Sequence, residues 1–177
     1  MISLLCVNTN HMKFAIISDI HDNLANLEKF LYWAKENGIE SVICCGDVAS
    51  SETLTMLAKS FAGHIYLVRG NAELYTEAEA RSTRDFPNLE YLGRIGRIEI
   101  GGRKIGICHE PFLIEKVIEA GDCEIVFYGH THKPWIEEKD SFITANPGTL
   151  GGVLYKASFA VWDSKSGEIG LKILEQL

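Results

Sequence analysis

The first half of the chain alternates short apolar runs with helical patterns. Three runs are too short for helices, end in polar residues and predict strands buried on both faces: KFAIISD, SVICCGD and HIYLVRGN. After the first run, apolar residues recur on one face at helical spacing: Leu24, Leu27, Phe30, Leu31 and Ala34. Asp22 or Asn23 is the expected N-cap of this helix and Gly38 its stop. With a second helical pattern near Glu52 to Phe61, the alternation predicts a parallel sheet.

The second half is mostly strand-like, after a mixed region at residues 74–88. Its apolar runs are joined by glycine-containing turns. These runs are IGRIEI, RKIGICH, EIVFYGH, PWIEE, SFITANPG, FAVWD and EIGLKIL. Only Pro111 to Ala120 has a helical pattern in this half. Parallel units followed by short hairpins predict an α/β fold of two packed sheets flanked by helices.

Size, charge and cysteine usage limit the classes of protein. A chain of 177 residues with 46% hydrophobic residues has the size of one domain; we assign residues 12–177 to it and residues 1–11 to an N-terminal extension of unknown role. The net charge of −7 argues against a nucleic-acid-binding surface. The segment MISLLCVNTNH lacks the basic region of a signal peptide and the length of a membrane span. Five cysteines without a C-x-x-C pair are typical of a reducing compartment, so we expect a cytoplasmic protein.

Side chains of the types that bind metals follow five of the predicted strands. They are Asp19, His21, Asp47, Asn71, His109, His130 and His132. Carboxylate, imidazole and amide oxygen together suit Mn²⁺, Fe²⁺, Ni²⁺ or Zn²⁺. One aspartate can bridge two cations about 3.5–4 Å apart, the spacing that clamps both oxygens of an in-line displacement at phosphorus. The set therefore predicts a two-metal phosphoesterase.

The order of these motifs resembles a known family. D-x-H at Asp19, G-D at Asp47, G-N-x-E at Asn71, a strand-end histidine at His109 and G-H-T-H at His130 follow one another as in the calcineurin-like metallophosphoesterase superfamily. The short chain and the segment NPGT at 146–149 make it most similar to the small archaeal and bacterial phosphodiesterases of that group. The resemblance implies a four-layer α/β/β/α sandwich of two mixed β-sheets flanked by helices.

The same resemblance implies a site and a reaction. One cation would be held by Asp19, His21 and His132, and the other by Asn71, His109 and His130, with Asp47 bridging them. The expected cations are Mn²⁺ or Ni²⁺, with Fe²⁺ and Zn²⁺ as alternatives. A metal-bound hydroxide would attack the phosphorus of a small phosphate-ester substrate, so no protein nucleophile is expected.

Two positions depart from the family pattern. Many members have histidine where this chain has Ala72, and that histidine stabilises the transition state or protonates the leaving oxygen. Related small enzymes have glycine where this chain has Glu110, which we expect to be a solvated loop residue. The alternative is a carboxylate beside the second cation that binds a water, serves as an acid or repels an anionic substrate. Two alternatives to a phosphodiesterase stay open: a phosphomonoesterase acting on a small metabolite, and a non-catalytic protein-binding scaffold of the same fold. The oligomeric state is also open, a homodimer included.

Overall fold

The fold contains two six-stranded mixed sheets in a computed structural model that describes residues 5–7 and 13–177. In chain order the strands are β1 (Leu5–Val7), β2 (Lys13–Ile17), β3 (Ser41–Cys44), β4 (His64–Leu67), β5 (Leu89–Tyr91), β6 (Ile95–Ile100), β7 (Arg103–Cys108), β8 (Ile125–Phe127), β9 (Trp135–Glu138), β10 (Ile143–Asn146), β11 (Ser158–Asp163) and β12 (Ile169–Ile173). The α-helices are α1 (Leu24–Glu36), α2 (Ser51–Ser60), α3 (Glu77–Ala80) and α4 (Ile114–Glu119), and short 3₁₀ helices span Pro111–Leu113 and Leu174–Gln176.

Each sheet combines parallel and antiparallel neighbours. The first sheet has the order β12-β11-β2-β3-β4-β5 and the second β1-β6-β7-β8-β10-β9. Strands β2 to β5 are parallel, as are β7, β8 and β10, whereas β11, β12 and β9 pair antiparallel with their neighbours. Parallel neighbours end at the same edge of a sheet, so the loops that follow β2, β3 and β4 lie side by side.

Strand β2 shows how the layers form. Ala15 and Ile17 pack in the cluster that includes α1 and α2, whereas Phe14 and Ile16 pack in the cluster between the two sheets. A third cluster lies beneath α4 on the outer face of the second sheet. Because successive side chains of a strand point to opposite faces, a strand covered on both faces must be apolar throughout. The predicted four-layer sandwich is confirmed.

Most predicted elements are present with close to the predicted bounds. Helix α1 begins after Asn23, whose side chain accepts a hydrogen bond from the Asn26 N–H, and α2 ends at Ser60. The sequence patterns missed α3 and β5, which have only four and three residues, and also β1. Strand β1 pairs with β6; the other residues of the segment 1–11 lie outside the described part of the chain, and the unknown role assigned to this extension stays a prediction. Among the described residues, no helix is long and apolar enough to cross a membrane.

One side chain connects the end of α2 to the strands that follow it. The Asn88 Nδ2 lies 3.0, 2.8 and 3.0 Å from the carbonyl oxygens of Ala58, Phe61 and Gly63. We expect Asn88→Ala to lower the free energy of unfolding by about 1–3 kcal/mol, because it leaves these carbonyls without a donor. Urea denaturation measures the change.

Asn37→Ala is the matched control, because it removes one exposed hydrogen bond to the Trp33 carbonyl oxygen. Its expected effect is within about 0.5 kcal/mol. Equal denaturation midpoints for the Asn37 and Asn88 variants would contradict this role of Asn88.

Candidate metal centre

All seven predicted ligands lie in loops that leave the carboxyl ends of strands. Asp19 and His21 follow β2, Asp47 follows β3, Asn71 follows β4, His109 follows β7, and His130 and His132 follow β8. Five of the seven have left-handed backbone conformations: Asp19 (φ 55°), His21 (φ 47°), Asp47 (φ 55°), His130 (φ 69°) and His132 (φ 60°). Such conformations are unfavourable for residues other than glycine and persist where surrounding contacts impose them, often at functional sites.

Hydrogen bonds donated by backbone N–H groups connect the loops and hold these conformations. The Asp19 N–H donates to the Gly46 carbonyl (3.0 Å), and the His21 N–H donates to the Asp47 carbonyl (3.1 Å). The His130 N–H donates to Asp19 Oδ2 (3.0 Å). The ends of three strands, β2, β3 and β8, are therefore held together by hydrogen bonds within the protein itself.

The first group of donors contains Asp19, His21 and His132, which lie close enough together to hold one metal ion. The Asp19 Oδ1 is 3.6 Å from His21 Nε2 and 3.2 Å from His132 Nε2. Neither contact is a hydrogen bond: Asp19 is fully buried, and its Oδ1 has no hydrogen-bond partner among the described residues. The His132 Nδ1 donates to the Val153 carbonyl (3.0 Å), which leaves Nε2 as a ligand atom.

The second group contains Asp47, Asn71, His109 and His130. The His109 Nε2 lies 3.2 Å from Asp47 Oδ2 and 3.0 Å from Asn71 Oδ1. The same Asn71 oxygen is 2.8 Å from His130 Nδ1. Because a carbonyl can only accept, the 2.7 Å contact between His109 Nδ1 and the Cys45 oxygen makes Nδ1 the donor and directs Nε2 towards the site.

Asp47 lies between the two groups. Its Oδ2 is 3.2 Å from His109 Nε2 and 3.7 Å from His21 Nε2, and its Oδ1 accepts the Ala72 N–H at 2.8 Å. Burial opposes ionisation of this carboxyl, but the nearby His109 imidazole and the Ala72 N–H lower the pKa of Asp47 below its ordinary value. Burial likewise opposes protonation of His109, but Asp47 and Asp19 raise the pKa of that imidazole. These charges favour the positive charge that a cation would bring.

Glu73 supports the centre, although the sequence patterns gave it no role. Its carboxylate accepts hydrogen bonds from the backbone N–H groups of Val48 (3.3 Å), Ala49 (2.9 Å) and Gly70 (3.2 Å). It thereby joins the loop that carries Asp47 to the loop that carries Asn71. The available signal was the acidic residue at the end of G-N-x-E.

Glu110 is not the solvated loop residue that we expected. It is 6% exposed, and its Oε1 accepts a hydrogen bond from Arg94 Nη2 at 2.6 Å. The prediction was wrong because a carboxylate can be buried when a cationic side chain is close enough to pair with it.

Comparison with known proteins identifies the family. The model of the calcineurin-like phosphoesterase superfamily domain matches residues 12–167. The chain belongs to the calcineurin-like phosphoesterase superfamily. It is 30% identical to a phosphodiesterase from Methanocaldococcus jannaschii over 145 residues, which are 81% of this chain and 87% of that protein.

Solved structures of other proteins have the same fold as this chain. A structure characterised as an archaeal phosphodiesterase aligns with a TM-score of 0.82 and 26% identity, covering 92% of this chain and 99% of the other. Vacuolar Protein Sorting 29 from Cryptosporidium parvum aligns with a TM-score of 0.65 and 23% identity over 93% of this chain and 97% of its own, which shows likeness of fold alone. The chain is thus a phosphodiesterase homologue with a metal-dependent phosphoesterase domain.

Gly70 lies so close to Asp47 that a side chain there would disturb the centre. A Cβ at Gly70 would overlap the Asp47 backbone nitrogen and Oδ1. We expect Gly70→Ala to weaken Mn²⁺ binding about 10- to 100-fold, since displacing a ligand's support costs about that much affinity. Calorimetric titration of chelator-treated protein measures this change.

Gly170→Ala in β12 is the control, because a Cβ there meets no heavy atom within 4 Å. It should bind Mn²⁺ like the parent protein. Parental affinity in Gly70→Ala would show that the close approach of Gly70 to Asp47 has no bearing on the cation.

Proposed function

We propose that this chain is a two-metal phosphodiesterase. One cation would be bound by Asp19, His21 and His132, the other by Asn71, His109 and His130, with Asp47 shared between them. The single observation that carries the proposal is the position of Asp47, within 3.7 Å of one histidine of each group. Two further observations fit the same assignment. The buried Asp19 Oδ1 has no hydrogen-bond partner among the described residues. The Nδ1 atoms of His109 and His132 donate to backbone carbonyls, which leaves their Nε2 atoms free to bind a cation.

The cations would be Mn²⁺ or Ni²⁺, as the resemblance to the superfamily implies, with Fe²⁺ and Zn²⁺ as alternatives; carboxylate, imidazole and amide oxygen together suit all four. When bound, they would supply Lewis acidity at the phosphate oxygens and lower the pKa of a coordinated water to about 7. The residues of this chain hold the donors in place and keep Asp47 ionised beside His109.

A protein nucleophile is not required, and the nearby thiols are poorly suited to be one. Burial raises the pKa of the Cys108 thiol to about 12 and that of Cys45 well above its ordinary value. A thiol attacks as the thiolate, so neither is reactive at neutral pH. This supports hydrolysis by an activated water.

Similarity to the Methanocaldococcus phosphodiesterase supports a diester substrate. Ala72 offers no proton to a leaving oxygen, so esters with good leaving groups should react fastest.

We further propose a cytoplasmic location, supported by the free cysteines at 44, 45, 108 and 123.

The test compares a bis-aryl phosphate with its mono-aryl counterpart after removal of metal and separate addition of Mn²⁺, Ni²⁺, Zn²⁺ or Mg²⁺. We expect faster cleavage of the diester with Mn²⁺ or Ni²⁺. Asp47→Asn should lower kcat/KM at least about 100-fold, because the shared ligand loses its charge.

Faster cleavage of the monoester would favour a phosphomonoesterase. If no metal supports turnover and elemental analysis detects no bound cation, the phosphodiesterase proposal fails and a scaffold function is favoured.

A further inference from the structure

An ion pair joins Arg94 to Glu110, the residue that follows the candidate ligand His109. The Arg94 Nη2 is 2.6 Å from Glu110 Oε1. Glu110 Oε2 is buried and has no hydrogen-bond partner among the residues that the structure describes. The side chain of Arg94, in contrast, is 57% exposed. A buried carboxylate therefore holds one end of a guanidinium group that has five N–H donors and remains largely accessible.

Glu110 connects this arginine to the loop that carries His109. The two residues are adjacent in sequence, and His109 directly follows the last residue of β7. Arg94 directly precedes β6, whose first residue, Ile95, pairs with Cys108 at the end of β7. Arg94 and His109 thus leave neighbouring strands at the same edge of the second sheet.

A backbone hydrogen bond connects the Arg94 loop to the loop that carries Asn71. The Arg69 N–H donates to the Gly93 carbonyl at 2.7 Å, and Asn71 lies two residues beyond Arg69. The Asn71 Oδ1 and the His109 Nε2 are themselves 3.0 Å apart. Arg94 is therefore linked on both sides to loops that supply donors of the second group.

The charges around the centre bear on what such an arginine could bind. Asp19 and Asp47 are buried in the centre, and the chain as a whole carries a net charge of −7. Two bound divalent cations would offset the charges of these two aspartates, and a cationic side chain at the rim would add to the attraction of an anionic substrate in an otherwise acidic protein. Arginine binds phosphate and carboxylate through two parallel hydrogen bonds, and restricting its side chain in advance reduces the ordering cost of binding.

We propose that Arg94 is an oxyanion-binding residue at the rim of the candidate metal centre and that Glu110 is its positioning residue. This inference rests on the proposed function, since it assumes a phosphate ester bound in the adjoining centre. The oxyanion is either a non-bridging oxygen of the scissile phosphate or a second acidic group of the substrate.

Binding of two non-hydrolysable ligands tests this role. Dissociation constants of phenylphosphonate and 4-carboxyphenylphosphonate are measured by calorimetry on the Mn²⁺-loaded protein. We expect Arg94→Ala to weaken binding of the recognised ligand about 10-fold or more, as for loss of a charge-assisted hydrogen bond, and Arg94→Lys to weaken it less. Equal weakening of both ligands identifies the phosphate oxygen, whereas weakening of the carboxylated ligand alone identifies a second acidic group.

Arg94→Ala also leaves Glu110 buried without its counter-charge, which destabilises a protein regardless of function. The double variant Arg94→Ala/Glu110→Gln removes both charges. Because Glu110 acts through Arg94, the double variant should bind the phosphonates as weakly as Arg94→Ala, while Glu110→Gln alone weakens binding. Arg84→Ala, at an exposed arginine outside the centre, should bind both ligands like the parent protein.

Parental affinity for both phosphonates in a folded double variant would overturn the inference, because Arg94 would then only neutralise Glu110. Neither ligand is hydrolysed, so the binding result does not depend on turnover. Arg94-dependent phosphonate binding without hydrolysis of any ester would contradict the proposed function and leave the oxyanion site standing.

Discussion

The burial of the Asp47 carboxylate is the constraint on which the centre depends. Asp47 is 2% exposed, so its negative charge is stable only with close partners. Its two oxygens meet the Ala72 N–H and the His109 imidazole, and its carbonyl accepts hydrogen bonds from Ile20 and His21. One residue therefore connects the ends of β2, β3, β4 and β7. In the proposed centre, the two cations bridged by Asp47 would be further partners of this charge.

Each sheet supplies part of the set of candidate metal ligands. The first sheet supplies the two aspartates, Asn71 and His21, and the second supplies His109, His130 and His132. The apolar cluster between the sheets fixes the distance across which these donors meet. Left-handed backbone at five donors costs about 1–3 kcal/mol each, and the surrounding core and inter-loop hydrogen bonds must offset that cost.

The sequence was sufficient to predict the layers of the fold and the placement of the candidate metal ligands at strand ends. Strands buried on both faces appear as continuous apolar runs, and parallel connections bring their ends to one edge. Short elements were missed because three or four residues carry little periodicity, although the capping box of Thr76 and Glu79 marks the start of α3. Local sequence patterns could not predict the burial of Glu110, because it depends on Arg94, which lies sixteen residues earlier and directly before the neighbouring strand β6.

Anomalous diffraction from crystals of the Mn²⁺-loaded protein tests the two-cation centre most directly. The account predicts two peaks about 3.5–4 Å apart, both within coordination distance of the Asp47 carboxylate. One peak should contact Asp19, His21 and His132, and the other Asn71, His109 and His130. A single peak at full loading, or two peaks of which only one contacts Asp47, would contradict the account.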